Sequence, residues 1–195
     1  MEMVRAFLNS VAVAFDLPIL DWIQANLQSP LMDKIMPIIT LFGDGGIFWI
    51  AVAVLLLFFP KTRKIGLGMG FALIMGLLVC NVTLKPLVGR IRPYDLQEEM
   101  GVFINLLIER QHDFSFPSGH TIASFEASVV LLKNNKLMGV PAFILAIAIA
   151  FSRLYLYVHY PTDVIFSIIV GTLFAFLGDA LAKKIPTRKK GKYEA

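Results

Sequence analysis

Cysteine is nearly absent from this chain of 195 residues: Cys80 is the only one, which excludes an intramolecular disulfide and leaves the redox compartment unreported. Charge is scarce too, at 16% of residues, and the carboxylates are scattered, with no cluster suited to Mg²⁺. Internal repeats and low-complexity segments are lacking. Residues 1–15 match a cleavable signal peptide poorly, so the N-terminus is expected to be retained. Apolar residues fill the space, making up 57% of the chain at a mean hydropathy of +0.72. That excludes an ordinary soluble globule and points to a single integral membrane domain.

Residues 65–84 run without a charge. At a rise of about 1.5 Å per residue this stretch covers a hydrocarbon core of roughly 30 Å. Shorter apolar runs at 47–59, 121–132, 137–152 and 164–178 complete an all-α, polytopic transmembrane helix bundle of five spans. Residues 4–15 are apolar but brief and are followed by Asp16, Pro18 and Asp21, which leaves room for a sixth span without requiring one. The organisation read from these runs is an amphipathic N-terminal segment at 1–44, a transmembrane domain at 45–184 and a basic tail at 185–195.

The net charge of +4 raises the question of nucleic acid, and the placement of the basic residues answers it. Lys61, Arg63 and Lys64 lie between the first two spans, Lys133 and Lys136 between the third and fourth, and residues 183–192 are rich in lysine and arginine. With five spans these regions share one side, which the positive-inside rule makes cytoplasmic. Residues 85–111 and 153–163 then face outward, and their basic residues need another explanation.

Within the N-terminal segment, Leu20, Ile23 and Leu27 share a helical face and Trp22 suits a membrane interface, so 18–28 reads as a short interfacial helix. Ser29 before Pro30 marks the start of another. Asp44, Gly45 and Gly46 break the chain before the first confident span. After Pro93 the chain is polar except at 102–108, an apolar piece that is either a lid over a lipid-binding mouth or simple packing on neighbouring helices.

Three polar clusters sit at span ends. In the first, Lys85 and Arg92 are seven residues apart and would share a helical face if the span continued to Pro93. Two cations there suit an anion larger than one carboxylate; the plain alternative is a pair of snorkelling residues. In the second, Ser118 stands as a helix N-cap, Gly119 permits close backbone approach, and His120 follows, which together make a phosphate cradle at a helix start. The third contains Arg153, His159 and Asp163, with Pro161 opening a helix. A carboxylate near an imidazole can hold one ring nitrogen protonated and leave the other as a nucleophile.

In this order and spacing, the residues from Lys85 to Asp163 resemble the type 2 phosphatidic acid phosphatase superfamily of lipid phosphatases. The resemblance implies that His159 attacks phosphorus and forms a phosphohistidine while Asp163 orients it. It also implies that His120 protonates the leaving group and then assists hydrolysis. Lys85, Arg92, Ser118, Gly119 and Arg153 would hold the phosphoryl oxygens. Members of this type work without a metal, so no cofactor is expected. Arg90 does not share the face of Lys85 and Arg92, and His112 stands in a polar loop; neither joins this set.

Glu126, inside a span, reads as a bundle-facing, protonated residue hydrogen-bonded to a neighbouring helix, with Asn81 the candidate partner. The leading function is removal of a terminal phosphate from a lipid at the outer face of the cell membrane. Undecaprenyl diphosphate is the first substrate expected, followed by phosphatidylglycerophosphate or phosphatidic acid. A non-enzymatic transporter or binder of anionic lipid would use the cations but not a nucleophile with its orienting acid. A haloperoxidase-like use of vanadate ranks lower. The expected partners are a lipid phosphate and the bilayer, not nucleic acid; oligomeric state is not legible.

Overall fold

The computed structural model describes residues 2–186, so most of the basic tail expected at 185–195 lies outside the described residues. Among the described residues every regular element is helical. The N-terminal helices are α1 (Glu2–Val11), α2 (Leu17–Leu27) and α3 (Pro30–Leu41), with a π-helical stretch, Ala12–Asp16, joining the first two. Then come α4 (Ile47–Phe58), α5 (Arg63–Gly76), a second π stretch (Leu77–Leu84), α6 (Lys85–Val88) and α7 (Pro93–Glu99). The chain closes with α8 (Gly119–Asn134), α9 (Lys136–Tyr155) and α10 (Pro161–Lys184).

Four helical stretches are long and apolar enough to cross a membrane: Pro30–Phe58, Arg63–Glu99, Lys136–Tyr155 and Pro161–Lys184. Four of the five expected spans fall inside them to within one residue. The fifth, at 121–132, lies in α8, whose 16 residues reach about 24 Å, short of a full hydrocarbon core. Its surroundings explain the shortness. Helix α8 packs on α5, α9 and α10, and it is buried nearly all round, including Ser124, Glu126 and Ser128. The surrounding helices turn apolar faces outward, as with Ile50, Val54 and Leu55 on α4 and Ile165, Ile169 and Leu173 on α10.

Small residues set the spacing of this bundle, as they do where helices pack without a hydrophobic drive from water. A methyl group at Gly178 of α10 would stand 2.4 Å from the Gly68 carbonyl oxygen of α5. One at Gly139 of α9 would stand 2.1 Å from Leu132 Cα of α8. Larger side chains at either position would push the helices apart.

The N-terminal helices form a separate apolar layer. Ser29 caps α3 by accepting from the Met32 amide at 3.3 Å, at the start read from Ser29-Pro30. Leu17, Leu20 and Ile23 of α2 pack with Tyr155, the last residue of α9, and with Leu156, Tyr157, Val158 and Tyr160 in the loop between α9 and α10. Residues 102–108 have no regular structure. Ile104, Leu106, Leu107 and Ile108 pack into that same layer, while Val102 and Phe103 remain exposed.

Candidate active site

The first cluster is built by a break in the chain and not by a continuous helix. Helix α6 stops at Val88, and Gly89 takes a left-handed conformation (φ 59°), so Lys85 and Arg92 do not share a helical face. The condition for a shared face, a span continuing to Pro93, is not met. The two cations still meet, because both reach Asp113: Lys85 pairs with Oδ2 and Arg92 donates to Oδ1 at 2.5 Å. Burial opposes the charge on Asp113, but Lys85 and Arg92 outweigh it and hold the carboxyl below its ordinary range.

His159 is 1% exposed and held from two sides. Its Nε2 lies 3.4 Å from an Arg92 amine, which also donates to the Val158 carbonyl at 2.6 Å. Its Nδ1 lies 3.4 Å from Ser115 Oγ and 3.5 Å from Asp163 Oδ2, and Ser115 Oγ donates to that same carboxylate oxygen at 2.5 Å. Asp163 is fixed by the helix it opens. Pro161 begins α10, and the Asp163 carboxylate accepts from the Tyr160 amide at 3.2 Å. Burial first, then the charges of Arg92, Arg153 and Lys85, push the His159 imidazole well below its ordinary pKa. The ring is therefore neutral at pH 7, the form with a free lone pair.

His120 faces the same space from the start of α8. Its Nε2 contacts Asp44 Oδ1 at 2.6 Å, in the turn between α3 and α4. A side chain at Gly43 would stand 2.6 Å from the His120 ring, so that turn needs glycine to approach this closely. Arg153 is 1% exposed and donates one amine to Thr40 at 2.5 Å. Its Nε and second amine have no partner among the described residues. Buried N–H groups of this kind call for an acceptor.

Lys85, Arg92, Gly119, His120, Arg153 and His159 all line one cavity of about 620 Å³. Asp163 stands behind His159. Ser118 also stands away from the cavity wall: its Oγ lies 3.0 Å from Thr121 Oγ1, its amide donates to Ser167 at 2.9 Å, and its side chain makes no capping bond. The cavity continues between α4 and α5, where its lining turns apolar at Ile50, Ala53, Leu57 and Leu73. Glu126 lines it too. Its carboxyl oxygens lie against Gly76, while Asn81 sits against Gly119, so the expected pairing of Glu126 with Asn81 is not made. Oε1 of Glu126 has no partner among the described residues.

Four functional neighbours were not read from the sequence: Asp44, Arg90, Asp113 and Ser115. Arg90 donates to Asp163 at 2.5 Å, and Asp44 and Ser115 contact the two histidines. Asp-Gly-Gly at 44–46 was visible as a break, and Arg90 lies two positions before Arg92. No local periodicity connects them to the site.

The profile of the PAP2 superfamily matches residues 65–185, a stretch that includes all three clusters. The chain belongs to the PAP2 superfamily. It is an integral membrane lipid phosphatase. Among curated relatives, an undecaprenyl-diphosphatase of Sulfolobus acidocaldarius is 30% identical over 181 residues, covering 91% of this chain and 83% of the relative. The Bacillus subtilis undecaprenyl-diphosphatase BcrC is 31% identical over 150 residues, covering 77% of this chain and 75% of its own. The crystal structure of a transmembrane PAP2 type phosphatidylglycerolphosphate phosphatase from Bacillus subtilis superposes with a TM-score of 0.73 at 26% identity. That match covers 96% of this chain and 94% of the other. The PAP2 fold thus extends beyond the profile to the N-terminal helices.

Proposed function

We propose that this phosphatase removes the terminal phosphate of a lipid diphosphate or monophosphate through a phosphohistidine on His159. The observation that carries this reading is the cavity itself. One end presents a neutral imidazole, a second histidine and three cations, and the other end is apolar. His159 Nε2 attacks phosphorus, the bond to the leaving oxygen breaks, and His120 gives that oxygen its proton. Water, deprotonated by His120, then displaces His159 and releases inorganic phosphate. Lys85, Arg92 and Arg153 hold the equatorial oxygens and supply the charge that a metal provides elsewhere. Gly119 admits the phosphate close to the start of α8, and Ser118 supports that turn from behind.

Undecaprenyl diphosphate is the leading substrate, supported by the two undecaprenyl-diphosphatase relatives. Phosphatidylglycerophosphate comes second, supported by the structural likeness above, and phosphatidic acid third. The site is proposed to face outward, with α8 as the fifth span, so that Lys61, Arg63, Lys64, Lys133 and Lys136 lie on the cytoplasmic side.

The test is phosphate release from each of these lipids in detergent, with EDTA present, by the wild type and by His159→Ala. The expected result is release that survives EDTA, is fastest on undecaprenyl diphosphate and disappears in His159→Ala. Full activity in His159→Ala, or no release from any of the lipids by the wild type, overturns the reading.

A further inference from the structure

Behind the loop that carries His159, three buried charges stand in a row: Asp16 at 0% exposure, Arg90 at 2% and Asp163 at 0%. Arg90 donates one amine to Asp163 Oδ1 at 2.5 Å and the other to Asp16 Oδ2 at 2.7 Å. Asp16 also accepts from the Thr162 amide at 2.9 Å and from its hydroxyl at 2.8 Å. The Tyr160 ring lies 3.8 Å below the guanidinium. Thus Asp16, from the π stretch between α1 and α2, reaches Thr162 in the first turn of α10 directly and Asp163 through Arg90.

We propose that Asp16 and Arg90 are positioning residues for catalysis, and that the N-terminal helical segment is a working part of the active site. The inference rests on the reading of His159 as nucleophile. A buried ion triad is weak evidence for stability, because apolar side chains of similar volume often pack as well. Its geometry has a clearer use. Arg90 occupies Oδ1 of Asp163 and leaves Oδ2 to Ser115 and His159 Nδ1. Asp16 holds the far side of Arg90, so the guanidinium neither swings away nor neutralises Asp163 alone.

Two other observations point the same way. Asp16 lies outside residues 65–185, the part matched by the family profile, yet its side chain pairs with Arg90, a buried charge of that part. The same segment also grips the loop elsewhere: Tyr157 donates to Asp21 at 2.6 Å, Tyr155 to Asp33 at 2.6 Å, and Gln24 to the Tyr155 carbonyl at 2.7 Å. π-Helical turns are often retained where function needs them, and this one ends on Asp16.

The charges around His159 make the sign of each effect definite. Lys85, Arg92, Arg153 and His120 face the ring, with Asp163 behind it and Asp16, Arg90 and Tyr160 behind Asp163. Removing the Asp16 charge leaves the surroundings more positive and disfavours protonated His159. Removing the Arg90 charge does the reverse.

The experiment is kcat and KM against pH for the full chain in detergent, comparing wild type, Asp16→Asn, Asp16→Glu, Arg90→Gln and the double variant Asp16→Asn/Arg90→Gln. Thermal unfolding confirms that each is folded. Asp16→Asn is expected to lose about 10- to 100-fold in kcat, the rate equivalent of one hydrogen bond to a charged group, with KM within about threefold. Its acid limb moves to lower pH, that of Arg90→Gln moves to higher pH, and that of the double variant returns toward wild type while kcat stays low. Asp16→Glu keeps the wild-type limb. If Arg90→Gln does not fold, the contrast of Asp16→Asn with Asp16→Glu carries the test. Wild-type kcat and limb in folded Asp16→Asn, or limbs that move the same way in both single variants, overturn the proposal. His159→Ala measured alongside separates the two readings. Full activity there removes the nucleophile, whereas an inactive His159→Ala beside a wild-type-like Asp16→Asn removes only the bridge.

Discussion

The two histidines of the site are held in different ways. His159 is enclosed, and its neighbours come from 90–92, 113–115 and 163, themselves buried or tied to buried groups. His120 is contacted by one carboxylate, Asp44, whose side chain is 53% exposed and which sits in a glycine turn. A nucleophile must keep one orientation and one protonation state, and burial with a fixed orienting carboxylate provides both. A residue that gives and takes a proton through water needs access, and an exposed partner provides that. The same residue type is thus placed in two environments, which suit the two roles proposed for them.

That contrast can be broken at its strongest point first. His159→Ala is expected to lose roughly 10⁴-fold or more in kcat, as other enzymes do on losing a nucleophile; phosphate release on the preferred lipid measures it. His120→Ala should lose about 10²- to 10⁴-fold, the usual share of a general acid and base. Quenching this variant with acid-labile phosphate still on His159 would show that the first step outlives the second. Failure to trap any phosphohistidine in it, with either lipid or an activated phosphate ester, would place both histidines in one step and erase the distinction.

Arg153 tests the ground the two share. Arg153→Gln should cost about 10- to 100-fold in kcat/KM, the rate equivalent of one hydrogen bond to a charged phosphate. It should also move the acid limb to higher pH, because a cation beside His159 depresses its pKa and removing that cation lets the pKa rise. In the wild type that limb lies below the ordinary imidazole value, and rates measured from acid to neutral pH check both points. Asp113→Asn has a smaller and opposite effect. The carboxylate that bridges Lys85 and Arg92 competes with phosphate for them, so KM should fall by about two- to fivefold while kcat holds, read from saturation curves at fixed pH. Glu126→Gln is expected to keep activity within about twofold, since a neutral carboxyl and an amide are close in shape. A near-complete loss in folded protein would make Glu126 a participant.

Much of this was legible from residue order, because chemistry limits which residues can occupy a site. The helix starts at Ser29-Pro30 and Pro161 follow from capping and proline geometry, and four of the five apolar runs fall inside membrane-length helices to within one residue. Lys85 and Arg92 would share a helical face only on a span continuing to Pro93, and Gly89 turns left-handed and ends α6 before that. The two cations converge through Asp113, 21 residues after Arg92, a contact with no periodic signature. The partner of the Ser118 amide was likewise not legible: it is Ser167 on α10, 49 residues away.

By itself the sequence determined the membrane setting, the helical class and the residue types of the phosphate chemistry. These depend on composition, local periodicity and short-range geometry. Only the tertiary structure decided which partners these residues have. It set Asp44 against His120, Ser115 between Asp163 and His159, and Asp16 against Arg90 across 74 residues. Burial and partner identity are properties of packed helices, and those two quantities decide which histidine is enclosed by buried partners and which stands beside an exposed carboxylate.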